Sequence, residues 1–204
     1  MYVEVARPIG KKVIGSKWVL RIKTNSAGKI DKYKARMVAK GYRQMEGIDY
    51  YETFAPTVRF ESIRSLIVFG VAEGWNFDQM DVSTTFLYAD LEEETFVEVP
   101  EGVSGVEGMV WRLLKCLYGL KQSPRMWNQT IDKVLVEIGF VRLKTDHGVY
   151  VFGVGDGRVF IALYVDDLLM VWKRKEVLEM VKRKLQEKFE MKDLGVATFL
   201  LGIE

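Results

Sequence analysis

Two adjacent carboxylates, Asp166 and Asp167, stand in the stretch IALYVDDLLMVW, where every other side chain is apolar or aromatic. Buried and unpaired, each would cost several kcal/mol. A bound divalent cation removes that cost, because Mg²⁺ prefers hard oxygen ligands. A pair of acids rarely completes such a site. A third acid in an equally apolar context comes from FDQMDVSTTF, where Asp81 lies between Met80 and Val82. Three carboxylates on two neighbouring strand ends can hold two metal ions, one activating an attacking 3′-hydroxyl and the other stabilising a leaving pyrophosphate. The protein around them would supply positioning and electrostatics. Plainer readings compete. Asp-Asp is common turn chemistry, and Asp81 could be the N-cap of a helix over STTFLYADL. Asp78 is the weaker ligand candidate, since it points to the opposite face of its strand from Asp81.

The elements that must hold these acids follow from periodicity. VFIALYV and LLMVW read as strands joined by a tight turn with the acids at its tip. WNFDQMDV is a short strand ending at Asp81. ESIRSLIVFGVAEG sets Ile63, Leu66, Ile67 and Gly70 at helical spacing, with Gly74 as C-cap. SPRMWNQTIDKVLVEIGF is helical, with Ser123 and Pro124 as N-cap and first helical residue. KEVLEMVKRKLQEKFE is an amphipathic helix. GVYVFGVGDGRVFIALYV is a hairpin turning at Gly155-Asp156-Gly157. Nearer the N-terminus, KWVLRIK and YKARMVAKG alternate on either side of the turn NSAGK. TFVEVP and MVWRLL are two further strands, and ATFLLGIE begins another. Hairpins and helices without regular crossovers predict an antiparallel α+β fold.

Composition narrows the chemistry. Cys116 is the only cysteine and His147 the only histidine among 204 residues. A disulfide framework, a Cys/His zinc site and a His-based triad are therefore excluded. Apolar runs end short of the roughly 18 residues of a membrane span. MYVEVARPIGKK lacks the apolar core of a secretory signal. The net charge of +2 conceals an asymmetry: residues 1–45 carry 12 Lys/Arg against 2 Asp/Glu, and the remainder carries 18 against 26. A basic lobe beside an acidic one suits a polyanion on one side and a cation on the other, although a basic solvated face alone would give the same count.

YVDD, Tyr164 to Asp167, resembles the Tyr-X-Asp-Asp box of reverse transcriptases. Around it YKARMVAKGYRQMEGIDYYETFAPTV, QMDVSTTFLYADLEEETFVEVPEG, LKCLYGLKQSPRMW and MKDLGVATFLLGIE resemble, in order, segments of copia-type LTR retrotransposon reverse transcriptases. The resemblance runs from about Lys11 to Glu204. It implies template-directed DNA synthesis from dNTPs on an RNA or DNA template and a primer strand. It assigns Asp81, Asp166 and Asp167 as the catalytic aspartates and metal ligands, with two Mg²⁺ ions, or Mn²⁺ in their place. Phe86 falls where the family sets an aromatic that excludes a ribose 2′-OH, and it also reads as plain core. Lys34 and Arg36 resemble residues that clamp the triphosphate. Tyr118, Gly119 and Gln122 resemble nucleotide contacts, with Gly119 permitting close backbone approach. Ser123, Tyr164, Val165, Leu201 and Gly202 resemble primer or template contacts, the last two at the start of the primer-grip hairpin. Lys192 is a candidate for protonating pyrophosphate.

The implied architecture is an α+β polymerase palm with a fingers subdomain. Fingers would occupy 1–56 and 91–123, palm 57–90 and 124–204. Thumb and RNase H parts are expected to be absent, as in a truncated fragment. The family context implies cytoplasmic particles and no membrane. The family commonly has Lys, Ala and Asn-Gly where Ser83, Thr85 and Tyr88-Ala89 stand here. These departures remove no metal ligand. The alternatives are a remnant that keeps the fold and nucleic-acid binding without catalysis, and another palm-like two-metal enzyme such as a nucleotide cyclase.

Overall fold

The computed structural model describes residues 1–24, 28–199 and 201–202. The chain divides into two compact units, Met1–Phe54 with Phe86–Trp127 and Ala55–Thr85 with Asn128–Glu204.

In the first unit, β1 (Tyr2–Ala6), β2 (Val13–Ile14), β6 (Asp90–Val97) and β7 (Met109–Lys115) form one sheet in the order β1-β7-β6-β2. Ile14, Val97, Trp111, Leu113, Leu117 and Leu120 make its core, and the Tyr2 ring stacks on Trp111 at 3.8 Å. The basic hairpin is present as β3 (Ser16–Thr24) and β4 (Ile30–Ala39), paired antiparallel from Ser16↔Ala39. Asn25, Ser26 and Ala27 of its expected turn lie outside the described residues.

The second unit holds a six-stranded antiparallel sheet in the order β12-β5-β11-β10-β9-β8. Its strands are β5 (Asn76–Val82), β8 (Val141–Arg142), β9 (Val149–Phe152), β10 (Val159–Tyr164), β11 (Asp167–Trp172) and β12 (Met191–Val196). Three helices accompany it: α1 (Phe60–Ala72), α2 (Ser123–Ile138), which enters this unit at Asn128, and α3 (Lys175–Gln186). Strand alternation decides which helix meets which face. Phe77, Leu169, Val171, Ala162 and Val149 point to one side and pack with Ile63, Leu66 and Ile67 of α1. The alternate residues point the other way, where Asp78 meets Lys182 of α3 and Tyr150 meets Asp132 of α2. Thus α1 covers one face, and α2 and α3 cover the other.

Helix α1 begins without a cap of its own, since Arg59 makes no side-chain capping bond. Asp146, from the loop before β9, substitutes for it. Its carboxylate accepts from the Arg59 backbone N–H at 3.0 Å and from Ser62 Oγ at 2.5 Å. A negative charge there also suits the positive end of the helix dipole. Gly74, at φ +66°, follows the helix as the sequence pattern expects of a C-cap glycine.

The helix over STTFLYADL that the alternative reading of Asp81 requires does not form. Thr85–Tyr88 is a single 3-10 turn and Asp90 already opens β6. Asp81 is a strand residue, so the N-cap reading of it fails. The thiol of Cys116 is buried, which pushes its pKa up to about 12 and removes it from thiolate chemistry.

Candidate active site

Tyr164 pairs with Asp167 across β10 and β11, so Val165 and Asp166 are the two residues of the turn. Two-residue hairpin loops favour positive φ, and here Val165 sits at φ +57°. A β-branched residue is a poor occupant of that region, so the turn holds backbone strain beside its two acids. The turn is tied sideways as well: the Val82 N–H donates to the Asp166 carbonyl at 2.9 Å.

Strand β5 lies against β11 with Asp81 directly opposite Asp167 and Gln79 opposite Leu169. Directly paired residues share one face of a sheet, with Cβ atoms about 5 Å apart. All three acids are half-buried. Burial pushes the Asp167 carboxyl above the ordinary carboxylate range, and the charges of Asp166 and Asp81 push it further. Gln79 opposes this by donating Nε2 to Asp167 Oδ1 at 3.3 Å. Gln79 escaped the sequence reading. Its signal was its place two residues before Asp81, which puts it on the same strand face.

On the other side of β5, Lys192 of β12 is the register partner of Asp81. It is exposed, so Asp81 has an acid on one flank and a cation on the other. Asp78 points to the opposite face, as alternation requires. It is buried, accepts from Trp172 Nε1 at 2.8 Å and pairs with Lys182 at 2.6 Å.

Among the described residues, no three Asp, Glu, His or Cys side chains converge into a ready-made ion cage. The donor set nevertheless fits a hard divalent cation. It is all carboxylate, it is half-buried, and its members already raise the cost of one another's charge. A cation between them would relieve that repulsion.

In the first unit, the structure brings together three residues chosen from sequence. The Arg36 guanidinium lies over the Tyr118 ring, 5.5 Å from its centroid. Phe86 meets the same ring edge-on at 4.8 Å. Lys34 shares the face of Arg36, two residues earlier on β4, and is half-buried.

Other candidates take structural work instead. Gln122 is buried, donates to Glu93 and to the Asp49 carbonyl, and accepts from Gln44. Ser123 is buried and donates to the Leu117 carbonyl at 2.7 Å. Neither side chain is presented to solvent in this structure. Gly119 does permit a close approach, but to β4: a Cβ there would lie 2.2 Å from the Ala39 carbonyl oxygen. Tyr164 and Leu201 are partly buried against the α1-side core, and Gly202 is exposed. Leu200, Ile203 and Glu204 of the expected primer-grip segment lie outside the described residues.

The family model for reverse transcriptase (RNA-dependent DNA polymerase) matches residues 1–204. The retrovirus-related Pol polyprotein from transposon TNT 1-94 of Nicotiana tabacum is 40% identical over 206 residues, covering 100% of this chain and 16% of the relative. The corresponding polyprotein from transposon RE1 of Arabidopsis thaliana is 37% identical, covering 94% of this chain and 13% of the relative. The chain thus spans less than a fifth of either relative's length. Among solved structures, a foamy viral protease-reverse transcriptase in complex with double-stranded DNA is 15% identical, at a TM-score of 0.45 over 97% of this chain and 30% of that one. No helix among the described residues is long and apolar enough to cross a membrane.

Proposed function

The chain belongs to the reverse transcriptase family found in copia-type transposon Pol polyproteins, and from that premise we propose that it carries out template-directed DNA synthesis from dNTPs. In this reading the second unit is the palm and the first unit is the fingers. The observation that carries the reading is the register pairing of Asp81 with Asp167 beside the turn that bears Asp166.

Asp81, Asp166 and Asp167 would hold the divalent ions, Mg²⁺ or Mn²⁺. When bound, such ions supply activation of the primer 3′-hydroxyl and neutralisation of charge on the leaving pyrophosphate. The protein's own groups do the rest. Gln79 fixes the orientation of Asp167 through its hydrogen bond. The Val82–Asp166 backbone bond fixes the turn against β5. Arg36 and Lys34 present cationic donors suited to a triphosphate. Arg36 is held over Tyr118, which reduces the freedom it would lose on binding. Phe86, braced by Tyr118, is the residue that would exclude a ribose 2′-hydroxyl. Template and primer are the polyanions that the excess of Lys and Arg in residues 1–45 would meet.

The test is primer extension on a homopolymer RNA template with Mg²⁺ and dNTPs. Extension by the wild type and its loss in Asp166→Asn support the proposal. Template–primer binding without extension by the wild type overturns it and favours a catalytically inert remnant.

A further inference from the structure

Behind the aspartate face, Lys182 of α3 reaches its ammonium between two strands. It pairs with Asp78 of β5 at 2.6 Å and with both carboxylate oxygens of Asp193 of β12, at 2.9 and 2.8 Å. The lysine side chain is 5% exposed. Trp172 Nε1 satisfies the other oxygen of Asp78. Burial alone would lower the Lys182 pKa, but its bonds to Asp193 and Asp78 outweigh that and raise it, so the group stays charged.

Asp193 does a second job. Strand β12 carries a bulge after it: Lys192 pairs with Asp81, Asp193 with Met80, and then Gly195, not Leu194, with Gln79. The Gly195 N–H donates to Asp193 Oδ1 at 2.9 Å, and Gly195 sits at φ +69°. An edge strand interrupted by a bulge is held on one side only, and a slip of one residue exchanges its two faces. A slipped β12 would set Asp193 among Asp81, Asp166 and Asp167, adding a fourth negative charge to three. It would also turn Lys192 toward the buried Lys182.

We propose that Lys182 is a positioning residue: held between Asp78 and Asp193, it locks β12 on β5 in the register that sets Lys192, and not Asp193, beside Asp81. The lock acts through the strand, since Lys182 lies on the face opposite the aspartates. Its importance for synthesis rests on the polymerase reading; its effect on register does not.

The test is cross-strand NOE spectroscopy on the full chain, following the Lys192–Asp81 and Met191–Val82 pairs in wild type, Lys182→Met, Lys182→Arg and Asp193→Ala. Lys182→Met leaves two acids without their cation and can fail to fold. Asp193→Ala removes the more exposed partner and keeps the test decisive. Loss of both β12–β5 contacts in Asp193→Ala and in folded Lys182→Met is expected, with the Tyr164–Asp167 pairing intact and with retention in Lys182→Arg. In the same variants, extension falls about 10-fold in kcat while the dNTP KM is unchanged. Persistence of the Lys192–Asp81 pairing in Asp193→Ala, or extension unaltered when that pairing is lost, overturns the proposal. A wild type that does not extend primers refutes the polymerase reading and leaves the NOE result to judge the lock.

Discussion

Asp81 and Asp167 face each other in register across β5 and β11, two carboxylates on one face of a sheet with Asp166 at the adjoining turn. Like charges paired directly across strands destabilise a fold. The arrangement therefore costs stability in the protein without metal. Asp167→Asn keeps an acceptor for Gln79 and removes one charge. It is expected to raise Tm in chelator-treated buffer by about 2–4 °C, on the order of 1 kcal/mol after solvent screening. Extension should be lost in the same variant. A lowered Tm would show that the three acids do not repel one another as placed.

Phe86 and Tyr118 meet edge to face. If Phe86 sets sugar selectivity, Phe86→Ala raises ribonucleotide incorporation relative to deoxynucleotide by about 10-fold or more. Competition between labelled rNTP and dNTP in the extension assay measures this. Unchanged selectivity with reduced stability would leave Phe86 a packing residue only.

Asp146 caps α1 from a distant loop. Burial alone would raise its carboxyl pKa, but hydrogen bonds from Ser62 and from the Arg59 and Gly148 backbone hold it below the ordinary range. A depressed folded pKa contributes stability above the unfolded value and loses it as pH falls through the folded one. Asp146→Asn should lower Tm at pH 7 by an amount corresponding to about 1 kcal/mol. The difference between variant and wild type should shrink below about pH 4, where the unfolded carboxyl titrates. Thermal melts from pH 7 to pH 2.5 (approximate limits set by that pKa) check both statements.

Gly148 lies beside Leu163 of β10, shortly before the Val165–Asp166 turn. The Leu163 N–H donates to the Gly148 carbonyl, and the Val58 N–H donates to the Leu163 carbonyl. A Cβ on Gly148 would lie 2.2 Å from the Val58 backbone nitrogen. Backbone cannot step aside as a side chain can, so Gly148→Ala should cost about 2–3 kcal/mol. Urea unfolding measures it. A variant as stable as wild type would show that this approach of the two segments is looser than described.

The sequence made visible what depends on neighbours in the chain. Alternation around VFIALYV and LLMVW, the 3.6-residue spacing of Ile63, Leu66, Ile67 and Gly70, and the glycine after α1 are local patterns set by backbone geometry. At STTFLYADL the sequence left a helix open as an alternative, and the strand pairing that β6 makes with β7 from Asp90 onward decides against it. The surroundings of Gln122 are a related case: its amide satisfies buried groups at Gln44, Asp49 and Glu93, residues far away in sequence that no local pattern points to.

By itself the sequence determined the inventory: three acids in apolar settings, a basic N-terminal segment, one cysteine and one histidine, and the strands and helices that carry them. The tertiary structure alone decided the pairings. That Asp81 lies opposite Asp167, that Lys192 flanks it, that Asp146 caps α1 and that Lys182 bridges Asp78 and Asp193 all depend on strand order and register. Those are fixed by the summed burial of many side chains on both faces of one sheet, a quantity that no short stretch of residues contains.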